Sequence, residues 1–530
     1  MLEKEKILPH TIAARAAEDP ANVALQDVDG REVTYGDFHT SNLLWADALR
    51  HQGVDAGDTV LTMFPNAFES SYAWLGVAWL RAIEVPLNTA YSGQMLDYLI
   101  ENSRATVFVC AQRYLEQVAT VSATTLERLD RIIVPDLSGD APDLGPTIVG
   151  GDEFFTDAQP ATDLDGPSYW DIACIIYTSG TTGPSKGVLV PWAELHQFPA
   201  ATPPNVLGKG DGFYACLPMF HVGGKSLVYM TSLAGARGVL REVFSLTEFW
   251  NDIRRFDCTT TGLIGVMAQF LLSMPESDDD ADNPLTVIQT GPLFPEVDDF
   301  ERRFGLRVFT GYGMTEIGAP IYGAPDDRVD WRSCGRVRDR YDVRIVDDHD
   351  EEVPVGDVGE LIIRSHEPWE LNVGYWGMPD KTAEAWRNGW FHTGDGFRAD
   401  EDGCLYFVDR LKDAMRKGGE NISSLEVEGH VREHPGVLEV AAVAAPSEFG
   451  PGEDEVKILV VRHEGQDFSE AELLEFLEPG MAKFMFPRYV EFVDELPKTQ
   501  TQRIQKVKLR GEALNPRTWD RKSDGYVRDT

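Results

Sequence analysis

Short apolar runs and longer apolar stretches alternate along most of the chain. Asp58–Phe64 (DTVLTMF) has the length of a buried strand, and Ser70–Ile83 (SSYAWLGVAWLRAI) that of a buried helix. Ala105–Cys110 (ATVFVC) and Arg131–Val134 (RIIV) predict strands, with a helix over Tyr114–Val121 between them. Strands alternating with helices predict α/β layers around a largely parallel sheet. Near Val343–Arg364 the pattern becomes strand, turn, strand, which marks a smaller β-rich subdomain. Past Asp409 it changes again. Helices are predicted over Glu426–Glu433 and Glu470–Leu477, and strands over Val437–Ala444, Val456–Val461 and Tyr489–Val493. The expected fold is α/β: a large N-terminal body over residues 1–408, then a small mobile α+β domain over 409–530.

Composition narrows the function. The 530 residues are 43% hydrophobic and 25% charged, enough apolar material for a large core. The net charge is −39, with 87 acidic against 48 basic residues. Sequence-independent binding of nucleic acid or anionic lipid needs a basic face, so neither is expected as the main activity. The six cysteines are scattered and form no CxxC pair, which predicts buried free thiols rather than a zinc or disulfide framework. No apolar run approaches the ~18 residues of a membrane span, and the N-terminus carries no apolar signal core. The expected setting is the cytoplasm, in soluble form.

The strongest local signal is Asp171–Val190, DIACIIYTSGTTGPSKGVLV. An apolar strand enters a loop of Thr178, Ser179, Gly180, Thr181, Thr182 and Gly183. Lys186 follows at the start of a second strand. Glycines let backbone N–H groups approach an anion, hydroxyls add donors, and the lysine adds a point charge. The spacing is not that of a Walker A loop, because Lys186 precedes Gly187 and a strand follows.

YTSGTTGPSKGV resembles the signature loop of adenylate-forming enzymes: acyl-CoA synthetases, luciferases and peptide-synthetase adenylation domains. An ordered motif series from Tyr177 to Lys506 carries the resemblance. It includes LPMFHVGG at Leu217–Gly224, TGPL at Thr290–Leu293, TGYGMTEIG at Thr310–Gly318, Tyr375–Trp376, GWFHTGD at Gly389–Asp395, DRLKD at Asp409–Asp413 and RKGGENISSLEVE at Arg416–Glu428. The wider wording resembles the carnitine/crotonobetaine-CoA and fatty-acid-CoA ligase group.

The resemblance implies a set of roles. His221 flanks the acyl group near the reacting carboxyl, and Thr290, Gly291 and Pro292 contact adenine. Tyr312 stacks on adenine, with Gly313 and Met314 beside it. Thr315 reaches the α-phosphate and Glu316 faces magnesium, for which a carboxylate is a hard oxygen ligand. Asp395 and Arg410 bind ribose, with Phe407 also on the nucleotide side. Lys417, Gly418, Gly419 and Glu420 form the CoA tunnel, and Lys412 is the hinge. His221, Val222, Gly262, Val266, Gly313 and Ile317 line the acyl pocket. A helix is expected over Gly262–Leu272, and Phe198–Asn205 is expected to help shape that pocket.

The implied substrates are a small carboxylic acid or its acyl-adenylate, ATP and CoA, with Mg²⁺ if adenylation occurs. One departure stands out. In Leu496–Arg510 (LPKTQTQRIQKVKLR), Arg503 occupies the place of the family's catalytic lysine and Gln502 that of a glycine. A planar guanidinium is a poor geometric substitute for a compact ammonium. Three readings follow. In the preferred one, thioester formation is retained while adenylation is impaired or absent, and a separate adenylating enzyme supplies the adenylate. The others are a complete ATP-dependent ligase and a catalytically silent nucleotide- or acyl-binding protein.

Overall fold

The computed structural model describes residues 1–178, 185–203, 206–324, 330–417, 420–448, 454–498, 504–511 and 514–526; for 416, 420, 421 and 511 it describes the backbone alone. The chain divides into two compact units. The first holds residues 1–178, 185–343 and 363–391, and the second holds 344–362 and the described residues from 392 onward.

The first unit contains two sheets. One runs in the order Thr147–Gly150, Arg131–Val134, Val107–Cys110, Thr59–Met63, Ile83–Pro86, Ile172–Thr178 and Lys186–Pro191. Every neighbouring pair is parallel except the last, an antiparallel hairpin. These strands are buried almost throughout, which explains their continuous apolar runs. In the other sheet, Arg307–Met314, Val287–Gly291, Cys258–Ile264, Gly212–Ala215, Arg237–Leu240 and Val23–Asp27 lie side by side in parallel. The hairpin partner Gly318–Gly323 joins antiparallel at Arg307–Met314. A shared core joins the two sheets; in it Trp74 stacks on Trp192 with centroids 5.6 Å apart and planes 12° from parallel.

In the second unit, Phe391–Ala399 and Leu405–Arg410 pair antiparallel. A four-stranded mixed sheet runs Val437–Pro446, Asp454–Arg462, Tyr489–Phe492 and Trp519–Asp520. Helices Ser424–Arg432 and Glu470–Leu477 cover it, placing Val427, Val431, Leu473 and Leu474 against Val440, Ile458 and Val460. Ser469 and Glu472 form a capping box at the start of the second helix, satisfying two of its orphan N–H groups reciprocally.

The α/β class and most element positions follow the sequence reading. Three elements differ. The helix expected over Ser70–Ile83 is Phe68–Trp79; Arg81 takes a positive φ, and Ile83 opens a strand. Tyr114–Val121 forms only short turns, Gln112–Tyr114 and Leu115–Val118. Gly262 lies on a strand rather than a helix. Gly262–Ile264 pair with Gln289–Gly291 in the parallel ladder, and the helix begins at Gly265. Among the described residues, no helix is long and apolar enough to cross a membrane.

Candidate active site

The strand Ile172–Thr178 delivers the chain to the glycine-rich loop, and Lys186–Pro191 takes it away, with Thr178 opposite Lys186. Ser179, Gly180, Thr181 and Thr182 lie outside the described residues. Lys186 Nζ sits 4.2 Å from the centroid of the Tyr375 ring, an electrostatically favourable seat for an ammonium. The Tyr375 hydroxyl donates to Glu316 Oε1 at 3.2 Å. Tyr375 thus bridges the phosphate-loop lysine, over its ring face, and the expected magnesium carboxylate, at its hydroxyl, although the three residues come from three distant stretches.

The backbone explains how. Segment 372–376 runs beside the second loop strand. Leu189 N donates to Gly374 O at 3.0 Å, and Trp376 N donates to Gly187 O at 2.7 Å. Asn372 holds the other side, donating to Glu316 O from its backbone N at 3.1 Å and from Nδ2 at 2.7 Å. Glu316 lies within a strand-to-strand turn that depends on glycine. A Cβ on Gly313 would lie 2.4 Å from Gly318 O, and Gly318 itself has φ +66°. A second carboxyl, Glu194, is fully buried nearby; burial first and the Glu316 charge second push it well above the usual carboxylate range. Burial, reinforced by Glu316, also pushes the Tyr375 phenol up, so it remains a donor.

On adjacent parallel strands lie Thr290 and Gly291, at the end of Val287–Gly291, and Tyr312, near the end of Arg307–Met314. Thr290 Oγ1 is fully buried and makes no hydrogen bond among the described residues, and the Gly291–Pro292 peptide is cis. The Tyr312 hydroxyl lies 3.6 Å from Met314 Sδ. Thr315 is half-buried in the turn and Ile317 is fully buried behind it. His221 stands immediately before the helix Val222–Ala234, its ring against Phe220. Gly224 must be glycine there, since a Cβ would meet Pro218 O at 2.2 Å. Val266 is half-buried in the first turn of Gly265–Leu272. Arg338 ties down the stretch after the loop hairpin: its guanidinium donates to Gln197 O at 3.0 Å, Ala200 O at 3.0 Å and Ala319 O at 2.8 Å.

In the second unit Asp395 and Arg410 are directly opposite on paired strands, with Nε 3.6 Å from Oδ1. Asp395 is buried and its backbone N donates to Thr393 Oγ1 at 3.1 Å. Glu360 braces the part of the strand just before Asp395, accepting from Gly394 N at 2.9 Å and facing His392 Nδ1 at 2.9 Å. Phe407 packs edge-on to Phe397. Lys412 is exposed in a turn. Lys417 pairs with buried Glu455 at 2.6 Å. Gly418, Gly419 and Arg503, together with the Glu420 side chain, lie outside the described residues.

The structure therefore brings Lys186, Tyr375 and Glu316 together in one unit, and Asp395 with Arg410 in the other. Sequence reasoning did not single out Asn372, Glu194, Arg338 or Glu360. A glutamate inside the apolar stretch after the loop, VLVPWAEL, was the available signal for Glu194.

Two family signatures match this chain in order: AMP-binding enzyme over residues 12–376, and the AMP-binding enzyme C-terminal domain over 426–503. The chain belongs to the AMP-binding enzyme family. Within the AMP-binding enzymes it falls among the acyl-CoA ligases. It is 30% identical over 496 residues to a crotonobetaine/carnitine–CoA ligase of Salmonella agona, covering 91% of this chain and 93% of that one. Two solved AMP-binding structures share the fold. One is the anthranilate CoA ligase AuaEII in complex with anthranoyl-AMP (TM-score 0.82, 25% identity, 95% of this chain and 97% of that one). The other is ATP-bound MatB from Rhodopseudomonas palustris (TM-score 0.82, 26% identity, 95% and 98%).

Proposed function

We propose that this protein joins a small carboxylic acid to CoA through an acyl-adenylate. In the first half the acid's carboxylate attacks the ATP α-phosphorus, giving acyl-AMP and pyrophosphate. In the second the CoA thiol attacks the acyl carbon, giving acyl-CoA and AMP. The observation that carries this reading is the Lys186–Tyr375–Glu316 cluster, with Lys186 opening the strand that follows the glycine-rich motif. A cation and a carboxylate bridged by one phenol are the kind of groups a polyphosphate and its magnesium call for. Among the described residues no three His, Cys, Asp or Glu side chains converge as a metal cage. One or two carboxylates with phosphate oxygens is the usual magnesium arrangement, so Glu316, with Thr315 beside it, fits that ion. Bound there, magnesium would neutralise charge on the departing pyrophosphate. The remaining roles are those the resemblance gives to His221, Thr290, Tyr312, Asp395, Arg410 and Lys417. The 198–205 stretch is assigned to the acyl wall, and Lys412 to the hinge of a mobile C-terminal region.

The finer proposal is that adenylation is the weak half, because Arg503 replaces a lysine. Two lysines nearby in sequence, Lys498 and Lys506, have partners elsewhere. Lys498 pairs with Glu439. Lys506 donates to Ser424 Oγ at 2.5 Å and pairs with Glu428 at 2.7 Å. Neither is placed as a stand-in. A separate adenylating enzyme would then supply the activated acid.

The test assays each half alone, with crotonobetaine, carnitine, anthranilate, benzoate and octanoate as the acid panel. Expected are slow pyrophosphate release from acid and ATP, raised at least tenfold by Arg503→Lys, and fast thioester formation from a synthetic acyl-adenylate and CoA. Fast pyrophosphate release by the unaltered chain would leave a complete ligase. AMP binding without either half-reaction would leave a silent nucleotide-binding protein.

A further inference from the structure

A lysine and a glutamate are sealed inside the first unit, and the chemistry described so far uses neither. Lys225 is 1% exposed and Glu84 2%. Their charged groups pair directly. Lys225 Nζ also lies 4.0 Å from the Trp74 ring centroid, and Glu84 Oε1 accepts from Thr62 Oγ1 at 2.9 Å. A buried ion pair is weak evidence for stability, because well-packed apolar residues in its place are often neutral or better. Its position is more informative.

Each member is attached to a different part of the site. Lys225 is in the first turn of the helix that His221 begins, and its backbone N donates to His221 O at 3.2 Å. Glu84 lies opposite Cys174 on the strand that ends at Thr178, where the glycine-rich loop starts. Trp74 stacks on Trp192, the first residue after the strand that leaves the loop. One cation thus connects the helix bearing His221 to both flanks of the phosphate loop. Gly224, pressed against Pro218 O, seats that helix start closely.

We infer that Lys225 and Glu84 are positioning residues that set the distance between the acyl end at His221 and the phosphate end of the site. The inference rests on the ligase reading above. Electrostatic attraction without an intervening water gives one short, directional link. Apolar packing would fill the same space but allow sliding. A displacement of ~1 Å between reacting groups can cost about 100-fold in rate.

The experiment compares the unaltered chain with the double variant Lys225→Met/Glu84→Gln, which is neutral and close in volume. Thermal unfolding, AMP affinity by calorimetry, and thioester formation from the synthetic acyl-adenylate and CoA are measured on each. The expected result is an unchanged or higher Tm, AMP affinity within twofold, and kcat lowered at least tenfold. Glu84→Gln alone keeps an acceptor for Lys225 and should retain at least threefold more activity than the double variant. A folded double variant with unaltered kcat and acyl-adenylate KM overturns the positioning role and leaves the ligase reading intact. If the double variant does not fold, Glu84→Gln against Glu84→Leu in the same assay decides, equal rates overturning the role. An unaltered chain inert in both half-reactions overturns both proposals.

Discussion

The Tyr375 hydroxyl and the Glu316 carboxylate form a hydrogen bond of 3.2 Å between two residues that are each less than a tenth exposed. The phenol fixes the direction in which Glu316 presents its remaining lone pairs. Tyr375→Phe removes that donor while keeping the ring beneath Lys186. A hydrogen bond to a charged group contributes ~1.5–3 kcal/mol, so pyrophosphate release, measured in the Arg503→Lys background, should fall by at least tenfold. The half-maximal magnesium concentration should rise, with Tm changing little. A magnesium titration of the rate checks this; an unmoved midpoint would remove Tyr375 from the site.

Asp395 is buried beside Arg410. If the pair receives the ribose hydroxyls, Asp395→Ala should weaken AMP binding by about 1.5–3 kcal/mol. Calorimetry reads this directly, and equal affinity would contradict the ribose assignment.

Lys412 stands exposed within the turn that Asp413 N closes on Arg410 O at 2.8 Å. Proline at 412 fixes φ near −65° and removes the N–H. If rotation of the C-terminal region separates the two half-reactions, Lys412→Pro should slow one at least tenfold more than the other. Equal slowing of both would speak against a hinge.

Much of this site is legible in the sequence because its motifs are local. Ser424–Arg432, Glu470–Leu477 and the loop hairpin fall where their periodicity places them. What the sequence conceals is long-range pairing. Nothing within reach of Tyr375 in the chain announces that its hydroxyl meets Glu316, 59 residues away. Gly262–Leu272 misleads for a related reason. An apolar run satisfies helix and strand patterns alike, and only pairing with Gln289–Gly291 makes its first residues a strand.

Acid should destabilise the protein partly through His196. Burial first, then the charges of Lys6, Arg338 and Arg340, lower its pKa from 6.5 to about 4. Between those values the unfolded chain binds a proton that the native one does not. The contribution is present above pH 6.5 and lost as pH falls through 4, by about 3 kcal/mol. Urea unfolding at pH 7 and 4.5 should show a smaller drop for His196→Gln than for the parent. Equal drops would mean that another group carries the effect.

Three of the four bonds from the Arg338 guanidinium end on backbone carbonyl oxygens, at Gln197, Ala200 and Ala319, and the fourth on the Gln197 side-chain Oε1. Every amino acid brings the same backbone carbonyl, so past Gln197 the grip is blind to which side chains stand in that stretch. Side chains from 198 to 201 can therefore change while the course of the backbone that Arg338 holds stays constant.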